Sequence, residues 1–246
     1  MPLSEFWMSY QGSGLHHEDV AAISSDNVLH WGLTDATNNL DAFERSHQLS
    51  TRLHAGLLPQ PFFGNINAAK VYVLFGNPGV SIQDYRDEFD GAEWRNLCAA
   101  SLAAQRTDFV PMALEASLTS AHKYWKSTLR SLIRDLSSSV PNLQISEAEE
   151  RLRNHFAVIE AGAYHSKRFP SDGFSHLPSS QAALRFVQDV VAPRAERGEC
   201  AIFVWRQARF WNLQQSCWIR IREPKRANGR YLLREERKFL CDMLLQ

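Results

Sequence analysis

The feature that most constrains this chain is a set of four short apolar runs separated by long helix-like stretches. VYVLF spans Val71 to Phe75, FAVIEA begins at Phe156, AIFVW at Ala201 and CWIRI at Cys217. Each run is too short for an independent helix, and the first three lack the polar alternation of a strand with one wet face. Such strands are buried on both sides. Between them, apolar residues recur at helical spacing from Met112 to Leu136, through Leu114, Leu118, Trp125, Leu129, Leu132, Ile133 and Leu136. Ser146 and Glu149 read as a capping box that opens a short helix through Arg153. Further helices are expected from about Gln181 to Ala195 and from about Leu233. Strands alternating with helices give an α/β fold: a single domain with a four-stranded parallel sheet flanked by helices on both faces.

The 246 residues fit one large domain. Residues 1–58 read as a helical and irregular extension packed on the core, and residues 59–246 as the α/β domain. In the extension, His16-His17 beside Glu18-Asp19 raises the question of a metal. Adjacent positions on a helix face different ways and no second ligand cluster accompanies them, so an exposed polar turn is expected and no metal. Cys98, Cys200, Cys217 and Cys241 show no C-x-x-C spacing and read as reduced thiols. No cofactor is expected. Nothing approaches the ~18 consecutive apolar residues of a membrane span. The first residues lack a basic start followed by an apolar run, so the expected location is the cytoplasm and the expected state a monomer without membrane contact.

The net charge of zero hides an asymmetry. Residues 1–100 carry 5 Lys/Arg against 12 Asp/Glu, whereas residues 205–238 carry 10 Lys/Arg against 3 Glu. A solvated face and a polyanion-facing surface both fit that pattern.

In open parallel sheets, ligands bind outside the carboxyl ends of the strands, where strand order reverses. Three of the four strand ends here carry conspicuous polar sequence: GNPGVSIQDY, EAGAYHS and REPKRANGR. Gly76-Asn77-Pro78-Gly79 can be a tight turn, since all three residue types form turns. It can also be a stiff loop that aims one amide at a substrate. The clustering of polar strand ends favours the second.

With FGNPG at Phe75 to Gly79 after the first strand of a four-stranded α/β domain, the chain resembles the uracil-DNA glycosylase superfamily. Its branches carry GQDPYH, GINPG, GMNPG or GEAPG at this place. The resemblance runs from about Pro59 to the C-terminus by element order and is most specific at this first motif. It implies a monofunctional DNA glycosylase acting on a flipped-out base, with DNA as partner and no metal or redox cofactor. It also implies that Asn77 positions the hydrolytic water, while Pro78 and the flanking Gly76 and Gly79 keep the loop stiff and close to substrate. Gly79 stands where the uracil-only branch has a tyrosine, leaving room beside C5 of the base. Tyr85 or Phe89 would stack on the flipped ring; core packing is the other reading of each.

At the second strand end the family's L-L-L-N is matched by AVIE, so Glu160 replaces the base-reading asparagine. A carboxylate only accepts hydrogen bonds, which suits the amino group of a cytosine-type base and repels a uracil carbonyl. A cap or a salt bridge to a neighbouring loop is the alternative role. Tyr164, His165 and Ser166 add a polar cluster, with His165 a donor to the leaving base or to phosphate, or else an ordinary loop histidine. The last loop should match H-P-S-P-L-S. Here Pro224 survives, Glu223 replaces the histidine, and Lys225, Arg226, Asn228 and Arg230 suit phosphate contacts or simply solvate a loop. Gly79 and Glu160 together point to a 5-modified cytosine, with defence against phage as a fitting context. A uracil or thymine mismatch glycosylase in repair, and a catalytically silent nucleic-acid-binding domain, are the competing readings.

Overall fold

The computed structural model describes residues 2–12, 14–45, 51–169, 174–223, 229 and 231–246. Lys225, Arg226, Asn228 and Arg230, together with Pro224, lie outside the described residues.

The N-terminal part carries short helices α1 (Leu3–Met8), α2 (His17–Val20), α3 (Leu33–Asn38) and α4 (Leu40–Arg45). Strands β1 (Val28–Leu29) and β2 (Leu53–His54) pair in parallel as a separate small sheet. There follow β3 (Phe62–Phe63), β4 (Val71–Phe75), α5 (Ile82–Phe89), α6 (Ala92–Leu102), α7 (Ser120–Ser139), α8 (Ile145–His155) and β5 (Phe156–Glu160). The C-terminal half holds α9 (Pro178–Phe186), a π-helical turn over Val187–Val191, α10 (Ala192–Glu196), β6 (Ala201–Val204), α11 (Ala208–Trp211), β7 (Ile219–Ile221) and α12 (Arg234–Leu244).

The main sheet is mixed, with order β3-β5-β4-β6-β7. The four expected strands are parallel to one another, but β3 joins antiparallel at the β5 edge, pairing Phe62 with Ile159. The expectation of a purely parallel four-stranded sheet is thereby corrected to an α/β fold with a five-stranded mixed sheet and a two-stranded parallel one. Pro59 and Pro61 stand immediately before this edge strand. Phe62 and Phe63, just beyond the second proline, have free amides and apolar side chains, so they can close the edge.

Alternate strand residues feed two apolar layers. Tyr72, Leu74, Ala157, Ile159, Ile202 and Val204 join one buried cluster, where Leu3, Phe6 and Trp7 of α1 also pack. Val71, Val73, Phe156, Val158, Ala201 and Phe203 join the other, beneath Leu129, Leu132, Ile133 and Leu136 of α7. Coverage of both faces is what the continuous apolar runs require.

Local details depart from the sequence reading. Met112 closes a 3-10 turn, and α7 starts at Ser120, where Thr119 Oγ1 accepts from His122 N at 3.1 Å. Leu114 and Leu118 therefore lie on a loop, 80% and 83% exposed, rather than on a buried helix face. The cap of α8 is Gln144, whose N–H donates to Glu147 at 2.7 Å, two residues before the expected Ser146/Glu149 box. Among the described residues no helix is long and apolar enough to cross a membrane.

His17 and Glu18 are exposed as expected, but His16 and Asp19 are fully buried, which corrects the expected exposed turn at those two positions. His16 stacks on Phe6 at 4.2 Å, and its Nε2 lies 2.9 Å from Ser9 Oγ while Nδ1 accepts from Glu18 N. One ligand atom each from His16, His17 and Glu18 falls within 4.8 Å of the others, but the two His16 nitrogens are already engaged in these contacts. Asp19 accepts from Tyr164 Oη at 2.5 Å and from Ser179 N at 2.9 Å, so its carboxylate caps the first turn of α9.

Candidate functional site

Strand β5 lies on one side of β4 and β6 on the other, so the carboxyl ends of these three strands flank the point where the order reverses. A cleft of about 380 Å³ opens there, within the usual size range of ligand sites. Asn77 follows β4, Glu160 closes β5 and Arg206 follows β6; all three line the cleft.

The loops after β4 and β5 are laced together. Gly162 N donates to Gly76 O at 2.7 Å, Ala161 N to Phe75 O at 3.3 Å, and Ser166 N to Pro78 O at 3.2 Å. Asn77 Nδ2 donates to the carbonyl and the hydroxyl of Ser166, both at 2.9 Å, and to its neighbour Pro78 O at 2.8 Å. A carbonyl only accepts, so the amide nitrogen must face Ser166. Oδ1 is then left with no partner among the described residues and serves as a fixed acceptor. Ser166 Oγ in turn donates a hydrogen bond to Arg168 O at 2.8 Å and belongs to the support of Asn77 rather than to the cleft wall.

The two loop glycines do different jobs. A Cβ on Gly76 would sit 3.1 Å from Gln207 Cγ and 3.4 Å from Phe169 Cβ, so the backbone is packed there. A Cβ on Gly79 would meet nothing within 4 Å, because Gly79 borders the open cleft.

Glu160 borders the cleft, yet its Oε2 is withdrawn from solvent and makes no hydrogen bond among the described residues. Burial pushes its carboxyl up to about 8, against the opposing charge of Arg206. The group is therefore neutral at pH 7 and offers a donor as well as an acceptor. A carboxylate, as expected from the sequence, would reject carbonyls; a neutral acid does not. Arg206 holds its guanidinium 5.8 Å from the Phe75 ring centroid, and its Nε is likewise buried without a partner among the described residues. Both atoms are open to a hydrogen-bonding partner that enters the cleft.

His165 also lines the cleft, with Nδ1 2.7 Å from Gly79 O. The carbonyl fixes the proton on Nδ1. Burial lowers the imidazole's pKa despite the opposing pull of Asp84 and of the Gly79 and Leu58 carbonyls, so the ring is neutral. Its Nε2 is buried and makes no hydrogen bond among the described residues. In this geometry His165 clamps the GNPG loop instead of presenting a donor to substrate. Its own carbonyl accepts from His54 N at 2.9 Å, which ties the small sheet to the site.

The expected stacking residues are elsewhere. Tyr85 is fully buried beside Leu29, Ala36, Phe43 and Leu57, and its hydroxyl is 2.9 Å from His54 Nδ1. Phe89 is 44% exposed and stacks on Tyr85 with ring centroids 6.3 Å apart, and neither ring is part of the cleft wall. Tyr164 is buried on the far side, where it accepts from His16 N at 2.8 Å and donates to Asp19, locking the N-terminal segment to the loop after β5. The cleft aromatics are instead Phe63, Phe75, Tyr124 and Trp125. Phe75 stacks on Trp205 at 5.0 Å and meets Trp125 edge-on at 5.5 Å, so it stands as a rigid flat wall.

The sequence missed these aromatics because a residue at the last position of a strand, or on the buried side of α7, looks like core. It also missed Arg206, although its place just past AIFVW, at the third strand end, was a usable signal. The basic C-terminal region is partly committed to structure. Arg222 is buried, pairs with Glu236, donates to Gly229 O at 2.8 Å and lies 4.1 Å from the Trp205 ring centroid. Arg237 pairs with Asp135 at 2.6 Å.

No protein-family model, no curated protein and no solved structure matches this chain.

Proposed function

We propose that the protein is a DNA glycosylase that hydrolyses the N-glycosidic bond of a flipped-out pyrimidine, with a 5-modified cytosine as the favoured base. The observation that carries this reading is the Asn77 amide. Its nitrogen is held by Ser166 and its oxygen is left free at the end of the central strand. An amide oxygen accepting from a water O–H aims that water's lone pair, which suits capture of a sugar cation as its bond to the base lengthens. Glu160 supports the other half of the step. When the N1–C1′ bond breaks, its electron pair goes to the base. The Glu160 proton moves to N3 of a departing cytosine, so that a neutral base leaves. Water adds to C1′ and gives up a proton to solvent, and Glu160 is reprotonated from solvent.

A neutral Glu160 accepts from the N4 amino group while it donates to N3, matching the edge of cytosine with two bonds. The same group can accept from N3–H and donate to O4 of uracil, so a uracil or mismatched-thymine glycosylase is the second reading. The open space at Gly79 favours a base carrying a 5-substituent. Phage defence suits such a substrate, since bulky modified cytosines mark phage DNA. DNA would be the macromolecular partner and a monomer in the cytoplasm the working form.

Duplexes and single strands carrying uracil, mismatched thymine or glucosylated 5-hydroxymethylcytosine, treated with protein and then alkali, test this directly. Strand scission at the modified cytosine by the wild type, and its loss in Asn77→Ala with folding intact, is expected. Binding of DNA without scission of any substrate would instead favour a silent nucleic-acid-binding domain.

A further inference from the structure

The outer face of α7 and the loop before it have no role in the cleft chemistry, yet both are unusual. Lys123, Lys126, Arg130 and Arg134 are all exposed and make no ion pair with any described residue. Their spacing of 3, 4 and 4 puts them on one exposed stripe of the helix, flanking the buried side that carries Leu129, Leu132, Ile133 and Leu136. The helix carries no acid before Asp135, which Arg237 already engages at 2.6 Å. From first to last, the stripe extends roughly 16 Å at 1.5 Å rise per residue, about five base-pair steps along a duplex.

The stripe begins at the cleft. Ser120, Ala121 and Tyr124 of the first turn line it. Immediately before that turn stand Leu114 and Leu118, the most exposed large apolar side chains among the described residues. Their loop is not slack. Ala113 and Ala116 are fully buried beneath it, and Thr119 Oγ1 donates to Ala116 O at 2.8 Å. Ser120 N and Oγ donate to Asp87 Oδ2 at 2.6 Å, and Ser120 Oγ lies 2.8 Å from Asp84 Oδ1. These bonds fix Asp84 and Asp87 at the foot of the helix, while Glu115 is paired with Arg106 at 3.3 Å. A stiff turn holding two leucines in water costs solvation and contributes nothing to the fold. Four unopposed cations on one face favour a polyanion, and apolar side chains beside them suit insertion between base steps.

We propose that this surface is the duplex-DNA docking site: Lys123, Lys126, Arg130 and Arg134 follow the phosphates of one strand, and Leu114 and Leu118 wedge into the stack beside the extruded nucleotide. The assignment rests on the reading of the cleft as a DNA site. It places the wedge on the loop before α7.

Two variants test it, neither of which touches the core. Fluorescence anisotropy on an unmodified duplex from 0.05 to 0.3 M NaCl compares wild type with Lys123→Gln/Lys126→Gln/Arg130→Gln/Arg134→Gln. The expected result is a slope of log K against log salt shallower by about 3.6, at ~0.9 for each of the four phosphates no longer neutralised, and affinity at least tenfold weaker at 0.1 M. The second variant, Leu114→Ala/Leu118→Ala, is mixed with a duplex carrying 2-aminopurine. Wild type should raise its fluorescence by unstacking, and the variant should lose most of that rise while keeping the wild-type salt slope. An unchanged slope in the first variant, or an unchanged fluorescence rise in the second, overturns the proposal. Neither readout needs base release, so a protein that docks in this way yet cleaves no substrate sinks the glycosylase reading alone. A protein that releases base with α7 neutralised and binding unaltered sinks the docking surface alone.

Discussion

Replacing Glu160 by Gln separates the two halves of its behaviour, because the amide keeps the size of the side chain and removes the titration. The folded protein holds the carboxyl up to about 8, from an ordinary value of 4.5, through burial. A folded-state pKa above the unfolded one means that the native state binds the extra proton between those values, so stability falls as pH rises through that window. At about 1.4 kcal/mol per pH unit, ionising Glu160 in place costs roughly 3–5 kcal/mol by pH 8. Glu160→Gln escapes that cost. Its stability relative to wild type should therefore climb between about pH 5 and pH 8 and level off above. Urea unfolding at half-unit pH intervals measures this, and comparing the two proteins cancels the contribution of other titrating groups such as Glu88, which burial holds up to about 7. Excision of the modified cytosine by wild type should fall tenfold per pH unit above about 8, while Glu160→Gln, lacking the proton, is slow and flat across the range. Parallel stability curves for the two proteins would refute the neutral carboxyl and the proton transfer built on it.

Asn77→Ala should abolish scission while leaving DNA affinity within about twofold, as checked by single-turnover assay beside anisotropy. Gly79→Tyr should fold normally, since nothing lies within 4 Å of the added Cβ, yet fill the space beside C5. Excision of a 5-substituted cytosine should drop roughly tenfold or more, against a smaller change for an unmodified pyrimidine; equal losses on both would discount Gly79 as the gate. Tyr164→Phe removes the donor to Asp19 and the acceptor for His16 N, and should cost about 1–3 kcal/mol of stability. Amide exchange in α1 and α2 should quicken in that variant while base release at saturating DNA stays unchanged. A loss of turnover without a loss of stability would move Tyr164 back into the chemistry.

Elements whose signals are local were legible in the sequence alone. Continuous apolar runs at Val71, Phe156 and Ala201 announced three of the parallel strands, because a strand covered on both faces leaves no polar alternation, and CWIRI announced the fourth. The same order placed Asn77 and Glu160 together, since parallel strands deliver their carboxyl ends to one side of a sheet, and Asn77 follows one strand while Glu160 closes its neighbour. Whatever depended on contacts between distant segments was settled in three dimensions. Phe62 and Phe63 became an edge strand by pairing with Val158 and Ile159 nearly a hundred positions later. Tyr85, Phe89 and Tyr164 carried the right chemistry near the right motif, but the N-terminal segment claimed two of them through His54, His16 and Asp19. Leu114 and Leu118 kept helical period with the true face of α7, and only the Thr119 cap, starting the helix later, put them in water. Ionisation was equally out of reach of the sequence. A glutamate at the end of a strand is written the same way whether charged or neutral, and the surrounding wall of Phe63, Phe75 and Trp125 is assembled from three separate elements.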